Sequence, residues 1–361
     1  MKKRVVVGMS GGVDSSVTAV LLKEEGYNVS GVFMKIWDER YKGLLSGPSC
    51  FSPEYKDIED AKKVAELLGI KLYIIDIAKE YSDIVLSYFK EEYLRGRTPN
   101  PCVVCNRFLK FGFLLEKLRC VEGHFFDFFA TGHYANVEYD KEKDRYILKK
   151  GIDKNKEQSY FLFLLTQKHL SNVLFPLGRY KKSDVKGIAK RYKLPVSEKA
   201  ESQDFIRGSR VHFFPDRAET GEIVDKNGNI IGRHKGIFYY TIGQRRGMGI
   251  AKGSPLYVID IDERNNRIVA GEKKDVYKRE FLVEKTNWVS IEEIAEPLKA
   301  DVKVRYKHTE GCATIYPPDD KSKCVKVIFD SPQWAITPGQ AAVFYKGDIL
   351  LGGGFVKTVY R

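Results

Sequence analysis

Two cysteines separated by two residues, Cys102 and Cys105, lie in a segment that is rich in proline and basic residues. Arg97, Arg107 and Lys110 flank the pair, and a helix is predicted to begin directly after the second cysteine. Positive charge and a helix N-terminus both stabilise a thiolate, the nucleophilic form of cysteine. The pair therefore predicts sulfur or redox chemistry. Half of a zinc site and a structural pair remain as alternatives, although the sequence has no second C-x-x-C or H-x-x-x-H to complete a zinc site.

The segment from Val5 to Val17 predicts a phosphate-binding turn. An apolar, β-branched run leads into glycines and serines, which open directly into a predicted helix. The glycines let the backbone approach an anion, while the serine hydroxyls and the first helical N–H groups supply hydrogen-bond donors. The residues concerned are Gly8, Gly11, Gly12, Ser10, Ser15 and Ser16. A nucleotide is therefore the first ligand to expect, and a glycine-rich turn without a ligand is the alternative.

The turn lacks the lysine of the common phosphate loop G-x-x-x-x-G-K-[ST] and carries Asp14 where a positive charge would be wanted. A carboxylate beside a phosphate site is favourable when it holds Mg²⁺. This arrangement disfavours hydrolysis at the γ-phosphate and favours chemistry at the α-phosphorus. The motif SGGVDSSV resembles the PP-loop signature of ATP pyrophosphatases, which adenylate a substrate oxygen and release pyrophosphate.

Charge and length restrict the class of protein. The chain has 361 residues, with 61 Lys and Arg against 48 Asp and Glu, and a formal charge of +13 at pH 7. The length predicts two or three domains, and the positive charge predicts attraction to a polyanion such as RNA or DNA, although a basic solvated face is an alternative. No run of 18 apolar residues occurs and the six cysteines do not form a disulfide framework, so we expect a cytoplasmic protein without a membrane partner.

Alternating strand and helix patterns over roughly the first two hundred residues predict a doubly wound α/β domain with a parallel sheet. The predicted strands are 4–9, 29–36, 72–77 and 128–130, and the predicted helices are 14–26, 57–69, 106–118 and 182–193, the last capped by Ser183. The helix over 57–69 has one apolar face, formed by Ile58, Ala61, Val64, Ala65 and Leu68. Ligands of open α/β sheets bind at the carboxyl ends of the strands, so the glycine turn, the cysteine segment and the loop 131–134 are expected to converge there.

Beyond the last predicted helix, short strands separated by Gly and Asn/Asp turns predict all-β modules. Hairpin turns are predicted over 225–229 and 262–266, and strands over 300–305, 324–329 and 341–345 fit a small barrel. The predicted domains are a PP-loop catalytic domain over 1–208, a central β-rich domain over 209–280 and a C-terminal β-barrel domain over 281–361.

Eight motifs resemble, in this order, those of tRNA-specific 2-thiouridylases: SGGVDSSV, GRTPNPCVVCN, ATGHYA, NKEQSYFLF, ESQDF, TIGQRRGMGI, VRYKH and TPGQAAVFY. They span nearly the whole chain, and the ordered set is specific to that family. The resemblance implies an enzyme that binds tRNA, adenylates O2 of the wobble uridine with ATP and replaces that oxygen with sulfur. The implied partners are the tRNA anticodon stem-loop and a sulfur donor such as a cysteine desulfurase, a sulfur-relay protein or free sulfide.

The resemblance also implies roles for individual residues. Asp14 would serve Mg²⁺, and Cys105 would be the nucleophile, with Cys102 beside it in a less defined role. The implied ATP-binding residues are Gly8, Met9, Ser10, Gly11, Gly12, Val13, Asp14, Ser15, Met34 and Gly132. The implied tRNA-binding residues, some of them in the central domain, are His133, Lys156, Glu157, Gln158, Gln244, Arg245, Arg246, Arg305, Tyr306 and Gln340. For His133, a histidine satisfied by the backbone is the alternative.

The chain departs from the family at one catalytic position. Many members carry a second cysteine in S-Q-D-I-C-F-I, whereas this chain reads S-Q-D-F-I-R-G over 202–208, so the usual two-cysteine persulfide relay cannot operate. Two hypotheses remain. Either Cys102 and Cys105 exchange through a disulfide or share a persulfide, or the two, together with Cys50, ligate an iron–sulfur cluster of the [4Fe-4S] type whose open iron carries the sulfide. We favour the cluster slightly.

Two further classes of function stay open. Another PP-loop enzyme, such as a lysidine-forming tRNA ligase or an amidotransferase-type synthetase, would share the glycine turn, but the cysteine pair and the GQRRG loop argue against it. A non-catalytic RNA-binding protein with a degenerate turn is the second class. The complete set of phosphate donors and Asp14 argues against that class.

Overall fold

The structure, a computed structural model, describes residues 2–38, 55–121, 125–200, 205, 214, 219–250, 254–318 and 323–360. The chain divides into two compact units. The first unit comprises Met1–Val85, Cys102–Gly208 and Asp348–Leu351, and the second comprises Leu86–Pro101, Ser209–Gly347 and Gly352–Arg361. The segment just before the cysteines thus belongs to the second unit, and the cysteines belong to the first.

The first unit is built on a five-stranded parallel sheet with the strand order β3-β2-β1-β4-β7. The sheet consists of β1 Arg4–Gly8, β2 Asn28–Lys35, β3 Leu72–Asp76, β4 Phe128–Ala130 and β7 Val173–Leu174. Two more strands of the unit are β5 Ala135–Asp140 and β6 Arg145–Lys150. β5 and β6 form an antiparallel hairpin beside the parallel sheet. The predicted doubly wound α/β domain is confirmed, because strands that are buried on their helix-covered faces alternate with helices along this part of the chain.

Helices of both units follow the predicted pattern with some differences in their bounds. They are α1 Val13–Glu24, α2 Tyr55–Leu68, α3 Ala78–Tyr81, α4 Ser87–Leu94, α5 Pro101–Val104, α6 Leu114–Arg119, α7 Gln167–Leu170 and α8 Lys182–Arg191. Two π-helical segments cover Ser82–Leu86 and Cys105–Phe113, and short 3₁₀ turns cover Ser159–Leu162, Pro176–Arg179, Ile237–Tyr239 and Lys273–Val276. The apolar face predicted for α2 is confirmed, since four of its five residues are buried there.

Two local predictions were wrong. The helix expected to begin after Cys105 begins at Pro101, whose fixed φ and missing N–H suit the first turn of a helix. The predicted cap of α8, Ser183, lies inside that helix, and the N-cap is Lys181 with an extended backbone. The start of α8 is instead secured by the Asp184 carboxylate, which accepts the N–H of Lys181 at 3.1 Å.

The second unit contains two all-β modules, as predicted. The first is a four-stranded sheet, β10-β11-β8-β9, formed by β8 Gly221–Val224, β9 Ile230–His234, β10 Tyr257–Asp262 and β11 Arg267–Gly271. Both predicted hairpin turns lie between its paired strands, at 225–229 and at 262–266. The second module is a six-stranded barrel of β12 Tyr277–Trp288, β13 Leu298–Lys303, β14 Gly311–Tyr316, β15 Val325–Trp334, β16 Ala341–Lys346 and β17 Ile349–Val359, closed by pairing of β12 with β17.

Among the helices of the described ranges, none is long and apolar enough to cross a membrane. The core of the first unit lies between the parallel sheet and the helices α1, α2 and α8. This packing places the N-terminus of α1 and the N-terminus of α8 in the same part of the unit.

Candidate active site

The glycine turn between β1 and α1 brings its backbone unusually close to its neighbours. Gly11 has a φ of +68°, in the left-handed region that favours glycine, and a Cβ there would collide with the backbone carbonyl of Asp57. A Cβ at Gly132, in the loop after β4, would lie 3.0 Å from the carbonyl carbon of Asp14. The turn and the loop after β4 therefore meet at the carboxyl ends of two adjacent strands, as the sequence predicts.

Hydrogen bonds within the turn decide which donors it can offer. The exposed Ser10 has its hydroxyl oxygen 3.3 Å from the Ser15 hydroxyl oxygen. Ser16 is fully buried and donates its hydroxyl to the Gly12 carbonyl at 2.8 Å, so the prediction that Ser16 offers a donor to phosphate was wrong. Within the described residues no side chain caps the first turn of α1, which leaves its N–H groups for an anion.

The Asp14 carboxylate is held by two side chains that are distant in sequence. The Tyr134 hydroxyl donates to Asp14 Oδ1 at 2.8 Å, and Lys182 Nζ lies 2.7 Å from Oδ1 and 2.8 Å from Oδ2. The Lys182 side chain is only 11% exposed. No sequence motif indicates Lys182, because it stands in a run of basic residues. The sequence indicates such a lysine only indirectly, because the Asp14 carboxylate at a phosphate site requires a cation from another part of the chain.

Lys199 fixes the opposite side of the glycine turn. Its ammonium donates to the Gly11 carbonyl at 2.9 Å and pairs with Asp57 at 2.6 Å and Asp60 at 2.5 Å, both in α2. Burial alone would lower the pKa of this ammonium, but the hydrogen bonds to the two carboxylates outweigh it and the pKa is raised. Lys199 therefore stays charged and ties the turn to α2, a role that no sequence motif indicated.

His133 is buried among aromatic rings in the loop after β4. Its ring lies 6.0 Å from that of Phe111 and 5.8 Å from that of Phe175, and its Nδ1 lies 2.6 Å from the Thr131 hydroxyl oxygen. Burial, together with the charge of Lys110, lowers the pKa of His133 well below its usual value. The imidazole is therefore neutral at pH 7, and its Nδ1 is satisfied by the hydroxyl of Thr131 and not by the backbone.

The two cysteines lie on one continuous run of helical backbone. Cys102 is half-buried in α5, and Cys105, which is 7% exposed, begins the π-helical segment Cys105–Phe113. Helical residues three positions apart face the same side, with about 5–6 Å between their Cβ atoms. Next to Cys105, the side-chain amide of Asn106 donates to the Phe161 carbonyl at 3.1 Å, which anchors this part of the helix.

Contacts within the first unit connect that helix to the glycine turn. Phe111, six residues after Cys105, lies against His133, and the neighbouring Gly132 lies against Asp14. Six residues of helix span at most about 9 Å along the axis. The helix that carries Cys105 thus leads directly to the loop that meets the phosphate turn.

Arg97, in the segment just before the cysteines, is bound within the second unit. Its guanidinium pairs with Glu92 at 2.8 Å and with Glu284 of β12 at 2.9 Å. Two carboxylates therefore compensate its charge. The prediction that Arg97 stabilises a cysteine thiolate is not supported, because this charge is already used in the second unit.

Gln340, a predicted tRNA-binding residue, also contacts this segment. Its side-chain amide donates to the carbonyls of Thr98 at 3.1 Å and Pro99 at 3.0 Å, and the N–H of Thr98 donates to the Pro338 carbonyl at 2.8 Å. The amide group of Gln340 is thus engaged with main chain of its own unit. A tRNA contact through its remaining oxygen stays a prediction.

The segment 156–158, predicted to contact tRNA, supports the loop after β4. The Gln158 side-chain oxygen accepts the N–H of Tyr134 at 3.1 Å, and the Gln158 N–H donates to the Tyr134 carbonyl at 3.0 Å. Glu157 is buried and accepts the N–H of Ser159 at 2.5 Å, while Lys156 is half-buried. Gln158 therefore holds the backbone of Tyr134, whose hydroxyl donates to Asp14. The contacts of residues 156–158 with tRNA stay a prediction.

The other predicted tRNA-binding residues lie in the second unit. Arg245 and Arg246 are exposed, and the Gln244 amide donates to the Arg246 carbonyl at 2.8 Å, which shapes this glycine-flanked loop. Arg305 donates to the Ile242 carbonyl and to the hydroxyl of Thr337, and the half-buried Tyr306 has Lys303 Nζ 5.6 Å from its ring. The two exposed arginines are thus the members of this set most accessible to a phosphate backbone.

Known proteins match the chain along its whole length. The family models described as tRNA methyl transferase HUP domain, tRNA methyl transferase PRC-barrel domain and aminomethyltransferase beta-barrel domain match residues 3–207, 213–272 and 278–356. The tRNA-specific 2-thiouridylase MnmA 1 of Caldanaerobacter subterraneus subsp. tengcongensis is 49% identical, with 100% of both chains covered. The tRNA-specific 2-thiouridylases MnmA 2 of Thermoanaerobacter sp. (48% identity, 99% of this chain and 98% of the relative) and MnmA of Acetivibrio thermocellus (44%, 99% of each) are similar. The chain belongs to the tRNA-specific 2-thiouridylase family.

ATP and Mg²⁺ are the ligands that 2-thiouridylase membership, through the PP-loop domain, implies for the first unit. The glycine turn fits a polyphosphate, because a Cβ at Gly132 would lie 3.1 Å from the Ser15 nitrogen and crowd an N–H group of the first turn of α1. Asp14 offers one carboxylate, which is sufficient because Mg²⁺ in nucleotide sites uses one or two carboxylates besides phosphates and water. Met34, half-buried near the carboxyl end of β2, lies at the same edge of the sheet, and Met9 is buried beneath the turn.

The iron–sulfur hypothesis receives no support from this structure. In the part of the chain that the structure describes, no group of three or more His, Cys, Asp or Glu side chains is arranged to hold a metal ion. The third ligand of the hypothesis, Cys50, and most of the segment 202–208 lie outside the described residues.

Proposed function

We propose that this chain is an ATP-dependent tRNA 2-thiouridylase. It adenylates O2 of the wobble uridine and replaces that oxygen with sulfur, releasing AMP and pyrophosphate. The observation that carries the proposal is the chain of contacts from Asp14, at the phosphate turn, through Gly132 and Phe111 to the helix that begins with Cys105. Family membership over the whole chain supports the same activity.

The glycine turn serves the adenylation step. The N–H groups at the start of α1 and the Ser10 hydroxyl hold the phosphates of ATP and stabilise the charge that grows on pyrophosphate as it leaves. Mg²⁺, bound through Asp14, supplies further charge compensation at the phosphates. Because C2 of uridine is a weak electrophile, attachment of AMP to O2 is what turns that oxygen into a leaving group.

His133 orients the base. Its pKa is lowered by burial, so it offers a neutral imidazole whose Nδ1 is held by the Thr131 hydroxyl. A neutral ring can donate or accept a hydrogen bond without adding charge next to the phosphates. The target uridine must first leave the anticodon stack, at a cost of a few kcal/mol, and contacts of this kind offset that cost.

Sulfur transfer runs through the two neighbouring thiols. Cys105 receives a persulfide from the sulfur donor, and the terminal sulfur attacks C2 while AMP leaves with O2. The Cys102 thiolate then attacks the Sγ atom of Cys105, so that one sulfur stays on C2 and a disulfide joins the two cysteines. A dithiol reductant returns two electrons before the next turnover. The spacing of the thiols on one helical face supports this route over the cluster.

The all-β modules of the second unit hold the tRNA. The exposed Arg245 and Arg246, in a glycine-flanked loop, suit phosphate contacts, which position a nucleic acid without reading its sequence. A net charge of +13 supports such binding. We assign ATP chemistry to residues 1–208 and tRNA binding chiefly to residues 209–280, with a contribution from the barrel 281–361. We expect the reaction to take place in the cytoplasm.

Incubation with ATP, Mg²⁺, a low-molecular-weight persulfide as the sulfur donor and unmodified tRNA, followed by nucleoside analysis, tests this function. We expect 2-thiouridine at the wobble position and one AMP and one pyrophosphate for each thiolation. A small persulfide delivers sulfur at the oxidation level that Cys105 requires, so the absence of a protein donor cannot hide the activity. Lysidine in place of 2-thiouridine, or no tRNA-dependent release of pyrophosphate, would contradict the proposal.

A further inference from the structure

The phosphate turn has no lysine of its own, and another helix brings one to it. Lys182, at the first position of α8, places Nζ 2.7 Å and 2.8 Å from the two carboxylate oxygens of Asp14. The packing of α8 fixes this placement, since its residues Val185 and Ile188 are buried in the same core as α1. A cation therefore stands at the N-terminal turn of α1, where a bound polyphosphate would meet the helix dipole.

The surroundings of Lys182 restrict where its ammonium can go. The ring of Tyr134 lies 6.0 Å from Nζ, and the Tyr134 hydroxyl donates to the same carboxylate at 2.8 Å. The main-chain N–H of Lys182 donates to Asp153 at 2.8 Å, which holds the start of α8. The side chain is 11% exposed, whereas that of Asp14 is 31% exposed, so the pair opens to solvent on the Asp14 side. A phosphate group would therefore approach the pair from the side of Asp14.

The charges of this pair suit a polyphosphate better than either residue does alone. An uncompensated carboxylate at the turn would repel the ligand, and its pairing with Lys182 removes most of that repulsion. An ammonium has three donor hydrogens and no fixed plane, so it can exchange a carboxylate oxygen for a phosphate oxygen with little movement. The exchange would also release an oxygen of Asp14 for Mg²⁺.

We propose that Lys182 is the phosphate-binding cation of this site and that Asp14 holds it in position until ATP binds. The inference rests on the proposed function, because it takes ATP as the ligand. It assigns to α8 the positive charge that the common phosphate loop carries within its own sequence. The alternative is a purely structural role, in which Lys182 only neutralises Asp14. The experiment must distinguish this role from phosphate binding.

Calorimetry measures the binding of α,β-methylene-ATP and of adenosine. EDTA in the buffer removes Mg²⁺, so that the contribution of Lys182 to phosphate binding is measured without that of the metal. In Lys182→Gln we expect roughly 10- to 100-fold weaker binding of α,β-methylene-ATP, the range for loss of a charge-assisted hydrogen bond, with adenosine affinity changed less than about threefold. Lys186→Gln, which removes the same charge from an exposed position of α8, serves as the matched control and should change neither affinity more than about twofold. Thermal melting verifies that each variant is folded.

A double-mutant cycle with Asp14→Asn decides between the two roles. If Lys182 binds phosphate, Lys182→Gln still weakens α,β-methylene-ATP binding about tenfold or more when residue 14 is Asn. If it only neutralises Asp14, the loss disappears in that background, and this result would overturn the inference. Lys182→Arg should retain most of the affinity. A wild-type chain that binds adenosine and α,β-methylene-ATP equally well would overturn the inference, and one that binds neither would contradict the proposed function itself.

Discussion

The side-chain nitrogen of Gln340 lies 3.0 Å from the Pro99 carbonyl oxygen, so that an amide from the turn before β16 binds the segment that leads to the cysteine motif. The same nitrogen lies 3.1 Å from the Thr98 carbonyl oxygen. One NH₂ group thus satisfies two consecutive carbonyls of a segment that contains two prolines and has few other donors. The contact gives Gln340 a structural role that is independent of any role toward tRNA.

Gln340→Glu should destabilise the protein. The substitution replaces the donating NH₂ group with a carboxylate oxygen that faces two carbonyls, and loss of both bonds costs about 1–3 kcal/mol in unfolding free energy. Gln333→Glu is the control, since that amide donates to the carbonyl and, at 3.5 Å, to the hydroxyl of Ser331, an exposed residue of the same strand. Urea denaturation of both variants measures the difference. Equal stability of Gln340→Glu and the wild type would show that the observed bonds contribute nothing.

Lys199→Met should weaken both the fold and nucleotide binding. Without the ammonium, Asp57 and Asp60 remain uncompensated beside the carbonyl of Gly11, which costs about 1–3 kcal/mol and places negative charge near the phosphates. Lys190→Met removes a lysine from an exposed pair with Glu198 and should cost less than about 1 kcal/mol. Thermal melting and titration with α,β-methylene-ATP test the prediction, and similar behaviour of the two variants would contradict it.

The sequence predicted the parts of this site that depend on local pattern. Apolar runs, glycines and turn residues determine strands, helices and hairpins through interactions between residues close in sequence. The parallel sheet, the apolar face of α2 and the barrel strands could therefore be predicted. Lys182 and Lys199 were missed because each meets its partners across more than a hundred residues, and only packing of α8 and of the chain after it brings them to the glycine turn. Arg97 was misassigned for the same reason, since its partner Glu284 lies far along the chain.

His133 should make stability fall in mild acid. Its pKa is lowered in the folded state, whereas in the unfolded state it is near 6.5, so below about pH 6.5 the unfolded chain takes up a proton that the folded chain does not. The unfolding free energy should therefore be unaffected by this group above pH 6.5 and should decrease below it, by up to about 1.4 kcal/mol per pH unit.

His133→Gln should flatten this decrease between pH 6.5 and 5. Some dependence will remain, because burial also lowers the pKa of His169, to about 4, and that of His308. Urea denaturation at a series of pH values measures the slope. An unchanged slope in His133→Gln would mean that His133 is protonated in the folded protein.

The cysteine pair should be required for thiolation and not for adenylation. Cys105→Ser should release about one pyrophosphate per enzyme in the presence of tRNA and form no 2-thiouridine, and Cys102→Ser should fail to complete repeated turnovers. Cys120→Ser, at an exposed position, is the control and should behave as the wild type. Full activity of Cys102→Ser would contradict both the thiol relay and the cluster.

Iron analysis separates the two sulfur routes. After anaerobic purification, the thiol relay predicts full turnover in protein without iron or labile sulfide, and trapped persulfide on Cys105 by mass spectrometry. Activity that increases in proportion to bound iron would favour the cluster formed with Cys50.

The fate of the uridine oxygen tests the central claim most directly. With tRNA that carries ¹⁸O at O2 of the wobble uridine, adenylation followed by displacement must transfer that oxygen to the phosphate of AMP. We predict one ¹⁸O in each AMP and the formation of an equal amount of 2-thiouridine, measured together by mass spectrometry. AMP that contains only ¹⁶O while 2-thiouridine accumulates would contradict activation of the base at O2.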